Sequence, residues 1–388
     1  MAALDRKLLR DAWHWRGQLA ACALVVACGV AAFVALFGAY RSLLEARDEY
    51  YERYRYADVF VHLKRAPRAE LDELSRLPGV AALVPRVLVE ARLIVPGLAE
   101  PARARLISLG STQSLNRLHL TAGRWPQPDR PDEAIASEAF MRAHGFAPGV
   151  RVEVVIRGRL VPLQIVGAAI SPEFIYEVGP AQILPDNRRY GVFWMNDKAL
   201  AAAFDMEGSF NDLVLRLAPG GSEAAVIAAL DARLARWGAL GASGRDEQVS
   251  HRFISDEIAQ NRVSATLVPA IFLAVAAFLL HTVLARLIQM QRPEIGLLKA
   301  FGYSGRAIAW HYAKLALGVA MGGAVIGLAL GGVLAQGLLD LYADYYRFPR
   351  FPMSGLIVAA AYAAALALGA ALIGALGAAV QGSRLAPA

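Results

Sequence analysis

Histidines and paired carboxylates are the side chains in this sequence that could bind a metal ion or move a proton, but their spacing suits neither task. The seven histidines have no metal-ligating neighbour at helical spacing and are scattered along the chain: His14, His62, His119, His144, His251, His281 and His311. The phosphate-loop, H-E-x-x-H, C-x-x-C and G-x-S-x-G patterns are absent from the sequence. The carboxylate pairs Asp132/Glu133 and Asp256/Glu257 are typical of solvated surfaces. We therefore predict no catalytic residue, no metal and no cofactor bound by this chain.

One loop favours a different chemistry, the binding of a partner. Residues 286–314 lie between two long uncharged runs and carry five basic residues against one acid. Residues 294–301 fit two helical turns with apolar side chains on adjacent sides, and the following glycines permit a tight reversal of the chain. The candidate docking residues are Glu294, Ile295, Leu297, Leu298, Lys299, Phe301 and Gly302.

Four uncharged apolar segments surround this loop or precede it, at residues 17–40, 263–285, 315–339 and 351–383. About 20 helical residues cross the hydrocarbon core of a bilayer, so each segment is long enough to span it. The first could instead be a secretory signal, but it is longer than the usual apolar region of a signal and no small-residue cleavage site follows it. We interpret all four as membrane spans.

The orientation follows from the basic residues. Residues 1–16, the loop 286–314 and the C-terminal end hold ten lysines and arginines and three acids, which accounts for the whole formal net charge of +7. Segments 41–262 and 340–350 each carry equal numbers of acids and bases. The positive-inside rule then places both termini in the cytoplasm and these two segments outside. Because the basic character reflects topology, no nucleic-acid partner is predicted.

The N-terminal segment 1–16 is predicted to be an amphipathic helix. Its apolar residues recur at helical spacing at Leu4, Leu8, Leu9 and Trp13, and charged residues occupy the other side. Such a stripe beside a span favours a helix lying in the membrane interface, in contact with lipids. A cytosolic extension of the first span without membrane contact is the alternative.

The exported segment 41–262 is predicted to be an α+β domain on helical stalks. Strands at 56–63, 82–95 and 212–217, with helices at 68–77 and 222–234, suggest a ferredoxin-like layer. Between them the chain is rich in strand patterns, which predicts a small inserted β-rich subdomain at about 101–192. The two cysteines lie in the first span, so no disulfide or zinc framework is expected outside.

The third span carries a stripe of glycines. Gly323, Gly327 and Gly331 recur at every fourth position and therefore lie on one side of a helix. Small residues at this spacing let two helix backbones approach closely. The stripe serves either packing within one bundle or a surface that slides against a partner or second subunit.

The loop sequence resembles a segment of a known family. Pro293-Glu-Ile-Gly-Leu-Leu-Lys-Ala-Phe-Gly-Tyr-Ser-Gly-Arg-Ala-Ile308 is similar to the R-E-I-G-x-x-K-A-x-G segment of the FtsX/MacB-type ABC transporter permeases. The stretch Gly123-Arg-Trp-Pro, Asp132-Glu-Ala-Ile-Ala-Ser-Glu138 and Gly149-Val-Arg-Val-Glu153 resembles a periplasmic stretch of the same family. The four-span layout with a large exported domain after the first span also matches. Pro293 departs from the pattern, because the family more often has Arg or Lys there.

The resemblance implies a membrane protein of four transmembrane helices with an α+β periplasmic domain, formed by a ferredoxin-like porter layer and an inserted β-rich subdomain. It implies a bacterial inner-membrane permease in which residues 294–301 form the coupling helix that contacts a separate cytoplasmic ATPase, which binds the ATP. Glu294 and Lys299 would make polar contacts to that ATPase, and Ile295, Leu298 and Phe301 would form the docking surface.

The resemblance leaves the partners and the activity open. The implied activity is export or extraction of a lipid, lipoprotein, peptide or drug, and a periplasmic adaptor protein is a further candidate partner. The alternatives are a non-transporting regulator that activates a cell-wall hydrolase and a scaffold without an ATPase. The tail at 384–388 resembles the segment that closes one half of eight-span relatives, so the chain would pair with a second copy or with a second half.

Overall fold

The computed structural model describes residues 3–110, 113–180 and 182–383. The chain divides into two compact units. The helical unit comprises Met1–Glu45, Ile258–Tyr342 and Phe351–Ala388, and the β-rich unit comprises Ala46–Glu257 and Ala343–Arg350. The tail at 384–388, interpreted above as the end of a permease half, lies outside the described residues.

The helical unit is built mainly from long apolar helices. In the described part of the chain, the helices that lie wholly or largely in this unit are α1 (Ala3–His14), α2 (Arg16–Arg53), α7 (Val249–Met290), α8 (Arg292–Ala300), α9 (Gly305–Tyr345) and α10 (Ser354–Ser383). Four of the described helices, α2, α7, α9 and α10, are long and apolar enough to cross a membrane. Large apolar side chains on their outer surfaces are exposed, as a bilayer requires, among them Phe278, Val325 and Ile357.

The predicted N-terminal helix is present as α1, but part of its apolar side faces the protein. Leu8 packs with Ala12 and Trp15 against the apolar core of the helical unit, whereas Trp13 is exposed. The side chains of Leu4 and Leu9 are not among those described. The apolar residues therefore do not form one lipid-facing stripe, because part of that stripe is used to dock α1 on its own protein.

The first sheet of the β-rich unit has the predicted ferredoxin-like topology. In the described residues it is antiparallel, with the order β11-β1-β10-β2. Its strands are β1 (Val59–Pro67), β2 (Val80–Arg86), β10 (Ser209–Leu217) and β11 (Ala242–Gly244). The connecting helices are α3 (Leu71–Ser75) and α6 (Glu223–Leu234), and the Ser222 hydroxyl caps α6 by accepting a hydrogen bond from the Ala225 N–H. The predicted fold class is confirmed.

The second sheet is inserted between β2 and β10 and closes on itself. Among the described residues its strand order is β5-β8-β6-β9-β4-β3-β7, and β7 also pairs with β8. Six strands thus form a small barrel filled by apolar side chains, and β5 flanks it. The strands are β3 (Leu88–Ile94), β4 (Ala102–Leu109), β5 (His119–Gly123), β6 (Glu133–Ser137), β7 (Arg151–Ile156), β8 (Arg159–Ile170) and β9 (Tyr190–Asn196). The helix α4 (Glu138–His144) follows β6, and α5 (Asp197–Ala203) follows β9.

Two predictions about this unit need correction. The single strand expected at 82–95 is divided at Val87 into β2 and β3, which belong to different sheets, so the inserted sheet begins before residue 101. The sequence gives no sign of the change because the strand pattern continues through it. Glu133, expected at a solvated surface, is buried in β6, where the Arg124 guanidinium binds its carboxylate with two hydrogen bonds.

The turn between α9 and α10 belongs to the β-rich unit. The Arg347 N–H donates a hydrogen bond to the Ile175 carbonyl at 2.8 Å, and the Arg347 guanidinium lies 3.6 Å from the Glu138 carboxylate. Arg142 and Asp344 form a further ion pair at 2.5 Å. The turn is therefore fastened to the inserted barrel by both backbone and charge.

Candidate functional site

The candidate docking helix exists in the structure as α8. Pro293 stands in its first turn, where the absent N–H has no intrahelical partner to lose. Glu294 in the first turn and Lys299 in the last turn both suit the helix dipole. The helix ends before Gly302, whose φ of +89° is a conformation that favours glycine. The helix is thus stabilised at both ends by its own residues.

One side of α8 faces the core of the helical unit. Ile295 is buried in a cluster with Leu284 and Leu287 of α7 and Ile308 of α9, and Leu298 packs partly against the same cluster. The sequence interpretation assigned Ile295 and Leu298 to the partner. The structure places them against the chain's own helices, which α7 and α9 bring close to α8 at both of its ends.

The other side of α8 is open. The Leu297 side chain is 62% exposed and the Phe301 side chain 75% exposed, and the i, i+4 spacing puts them on the same side of the helix. Tyr303, just beyond the helix, is also exposed. Lys299 is half-buried, and Glu294 is exposed beside the open side. The exposed residues on this side of α8 are therefore Leu297, Phe301 and Glu294.

Glu294 is also held from within the chain, by a cluster that we call the Lys7 node. The Lys7 ammonium lies 2.6 Å from Glu294 Oε2 and 2.9 Å from Asp11 Oδ2, and donates a hydrogen bond to Gln291 Oε1 at 3.1 Å. The Tyr312 hydroxyl donates to the same Gln291 oxygen at 2.8 Å. The node ties α1, the start of α8 and α9 together. Sequence reasoning missed it, because no pattern links a lysine in the first helix to a glutamate nearly 300 residues later.

The glycine stripe of α9 contacts α2 within the same chain. A Cβ atom at Gly323 would lie 2.5 Å from the Ala23 carbonyl oxygen, and one at Gly327 would lie 2.6 Å from Val30 Cβ. At Gly331 the distance to Val34 Cβ would be 2.7 Å. The two backbones are therefore in direct contact, and side chains larger than hydrogen do not fit between them.

A second set of small residues was missed from the sequence. Buried alanines recur at every fourth position along α10: Ala359, Ala363, Ala367, Ala371 and Ala375. On the same helix, a Cβ atom at Gly374 would lie 2.7 Å from the Ala277 carbonyl oxygen of α7. The signal was available as a four-residue alanine period, but alanine is so common in this chain that the period does not stand out.

Three buried charged residues of the β-rich unit, Arg86, Glu173 and Asp212, form a structural cluster that joins its two sheets. The Arg86 guanidinium binds Asp212 of β10 at 2.5 Å and Glu173, which follows β8, at 2.6 Å. His62 Nδ1 lies 2.6 Å from the other Asp212 oxygen, and Asn116 donates to Glu173 at 2.8 Å. Each of these three buried charges thus has a partner of opposite sign, which is the usual condition for tolerating it.

The histidines are dispersed in the structure as in the sequence. Five of them have separate polar neighbours: Asp212 for His62, Tyr54 for His119, the Arg188 carbonyl for His144, Tyr51 for His251 and Asp11 for His311. Within the residues that the structure describes, no group of three His, Cys, Asp or Glu side chains is placed to hold a metal ion.

Comparisons with known proteins match almost the whole chain. A family model described as the MacB-like periplasmic core domain matches residues 19–233, and one described as the FtsX-like permease C-terminal domain matches residues 266–387. No curated protein sequence matches the chain.

Two solved structures are similar at low identity. The periplasmic region of MacB from Actinobacillus actinomycetemcomitans is 10% identical, with a TM-score of 0.33, over 54% of this chain and 96% of that chain. The extracellular domain of the ABC-type transporter YknZ from Gram-positive bacteria is 10% identical, with a TM-score of 0.32, over 48% of this chain and 98% of that chain.

Proposed function

This chain belongs to the FtsX/MacB-type family of ABC transporter permeases, and on that premise we propose that it couples ATP hydrolysis by a separate cytoplasmic ATPase to movement of its periplasmic domain. Proteins of this family are membrane permeases rather than classical enzymes, and they normally work with a cytoplasmic ABC ATPase. The ATP is bound by that partner. The proposed α8 docking helix is the point at which the two subunits meet.

The single observation that carries this proposal is the two-sided character of α8. Its inner side is packed through Ile295, while its outer side exposes Leu297 and Phe301. Burying a leucine or phenylalanine side chain contributes about 1.5–3 kcal/mol, so a partner that covers both gains roughly 3–6 kcal/mol. A rigid helix with one buried and one exposed apolar side suits a docking element.

The packing of α8 also supports a mechanical role. Because Ile295 lies among Leu284, Leu287 and Ile308, a push on α8 displaces the ends of α7 and α9 with it. The α7 helix is continuous from Val249 to Met290, so a displacement at one end is passed along its length. The coupling we propose is thus a transfer of movement along helices rather than a catalytic step.

The proposal includes the location and the assembly. We place the protein in the bacterial inner membrane with both termini in the cytoplasm, since the loop and the N-terminal segment hold most of the excess positive charge. A functional assembly has two copies of this chain, or this chain with a second permease half, on two ATPase subunits. The proposed cargo is a lipid, lipoprotein, peptide or drug, delivered to a periplasmic adaptor protein where one is present.

The test is retention of the ATPase by variants of α8. Leu297→Glu and Phe301→Glu are expected to abolish co-purification of the ATPase from native membranes in mild detergent, because each places a charge in an apolar contact. Leu240→Glu is the matched control, since Leu240 is equally exposed but lies in the β-rich unit. Unchanged ATPase retention by both α8 variants would refute the docking assignment.

The same purification tests the assembly. Intact masses that give two chains with two ATPase subunits are expected for the homodimer, and one heavier permease chain per two ATPases for the two-half form. Absence of any ATPase from the wild-type preparation would contradict the proposed function. Stimulation of ATP hydrolysis by candidate cargoes then identifies the transported class.

A further inference from the structure

The outer side of α1 is basic and aromatic. Arg6, Arg10 and Trp13 recur at spacings of four and three residues, and all three are exposed. Trp13 is 72% exposed, and the Arg16 guanidinium lies over its ring at 4.8 Å from the centroid. A tryptophan left this open to water, beside three arginines, indicates a surface that is covered by something else.

This side of α1 cannot rotate inward. On the opposite side, Leu8, Ala12 and Trp15 pack against the helical unit, and Lys7 and Asp11 belong to the Lys7 node. The arginines and Trp13 are therefore held outward by contacts on the other face of the same helix.

The exposed side of α1 lies close in sequence to the start of a membrane span. The α1 helix ends at His14 and α2 begins at Arg16, and at this junction the Trp15 N–H donates to the Asp11 carbonyl at 3.0 Å and the Leu19 N–H to the Trp15 carbonyl at 3.1 Å. Trp13 lies three residues before the first residue of α2, which is long and apolar enough to cross a membrane. Leu24 of α2 is also exposed, as is expected of a side chain that faces lipid.

We propose that Arg6, Arg10 and Arg16 bind the phosphate groups of anionic phospholipids, with Trp13 set at the boundary between headgroups and acyl chains. Trp13 is the residue type favoured at that boundary, it lies three residues before the membrane-spanning α2, and the exposed arginines lie close to it in sequence. An acidic protein partner would account for the arginines but not for an exposed tryptophan this close to a membrane span. Lipid bound to α1 would also help to hold α8 in place, because the Lys7 node on the opposite side of α1 binds Glu294 of α8.

The test uses the full chain in lipid nanodiscs without an ATPase, so that its outcome does not depend on the proposed function. Brominated phosphatidylglycerol and brominated phosphatidylcholine are compared at equal, low mole fraction as quenchers of Trp13 fluorescence. The Trp13 signal is obtained as wild type minus Trp13→Phe. Quenching by the anionic lipid is expected to exceed that by the neutral lipid, by a preference of about fivefold for each arginine at low salt.

The double variant Arg6→Gln/Arg10→Gln should lose most of this preference, and added salt should weaken it in the wild type. The matched control is Arg286→Gln/Arg306→Gln, which removes the same charge from exposed positions outside α1. Equal quenching of wild-type Trp13 by the two lipids would overturn the proposal. So would an equal loss of preference in the control variant, which would assign the effect to net charge alone.

Discussion

Glu177 is a buried carboxylate in the connection between β8 and β9, and its replacement leads to a quantitative prediction. The side chain is 4% exposed, and the Ser137 hydroxyl donates a hydrogen bond to Glu177 Oε1 at 2.7 Å. Burial raises the pKa of Glu177 from 4.5 to about 7, and the opposing effect of the nearby Arg347 charge is smaller. Glu177→Gln keeps the shape of the side chain and an oxygen that can accept the Ser137 hydrogen bond, but it removes the ionisable carboxyl group.

The sign and size of the effect follow from this shift. Because the pKa of Glu177 is higher in the folded than in the unfolded chain, the folded state binds more protons between about pH 4.5 and pH 7, and stability falls as pH rises through this window. Each pKa unit corresponds to about 1.4 kcal/mol, so the charged side chain costs roughly 3 kcal/mol above pH 7. Glu177→Gln should therefore stabilise the protein by about that amount at pH 8 and leave it unchanged near pH 4.

The assay is thermal unfolding of the full chain in detergent at both pH values. A gain of about 3 kcal/mol corresponds to roughly 6–12 °C in the melting temperature of a unit of this size. Glu153→Gln is the control, because Glu153 is an exposed carboxylate on β7 in the inserted barrel and its replacement should change the melting temperature little. A Glu177→Gln variant that is less stable than wild type at pH 8 would show that Arg347 holds the carboxylate charged, which refutes the reasoning.

Two further predictions concern the helical packing and the buried charges. Gly327→Leu should destabilise the protein by about 1–3 kcal/mol and lower ATP hydrolysis by the assembled complex, because the new side chain must separate α9 from α2. The control in the same melting assay is Gly332→Ala, because a Cβ atom at Gly332 meets nothing within 4 Å. Equal melting temperatures for the two variants would contradict the close packing of α9 on α2. The hydrogen bond to Asp212 raises the pKa of His62, so His62 stabilises the fold below pH 6.5 and loses this effect as pH rises through its folded pKa. His62→Ala should then lower the melting temperature at pH 6 but not at pH 9. The loss in the free energy of unfolding at pH 6 should be less than about 1 kcal/mol, because the imidazole is half-exposed. A loss of stability that does not vary with pH would count against this prediction.

The predictable parts of the fold are those that depend on patterns among residues close together in the sequence. The apolar runs predicted four membrane helices, and the βα alternation on either side of a β-rich segment predicted a ferredoxin-like layer with an insertion. The existence of α8 followed from the spacing at 294–301. Each of these depends on residues close together in sequence, where helical and strand periods are informative.

The parts that were not predictable depend on which elements meet in space. Ile295 and Leu297 are both apolar members of α8, and only the positions of α7 and α9 decide that the first is buried and the second exposed. The Lys7 node is an ion pair between distant segments, and the change of sheet at Val87 leaves the strand pattern unbroken. Charge and hydrophobicity indicate whether a side chain tends to be buried, but the elements packed around it determine whether it is buried, exposed or paired.

The attachment of the α9–α10 turn to the inserted barrel has a consequence for biosynthesis. The barrel strands end at Asn196, but Arg347, which bonds Ile175 and faces Glu138, is synthesised some 150 residues later, after α7 and α9. Domains usually fold in the order in which they leave the ribosome. Here Ile175 and Glu138 of the β-rich unit lack their contacts with Arg347 until the third span has been inserted. The β-rich unit can therefore finish folding only after that insertion.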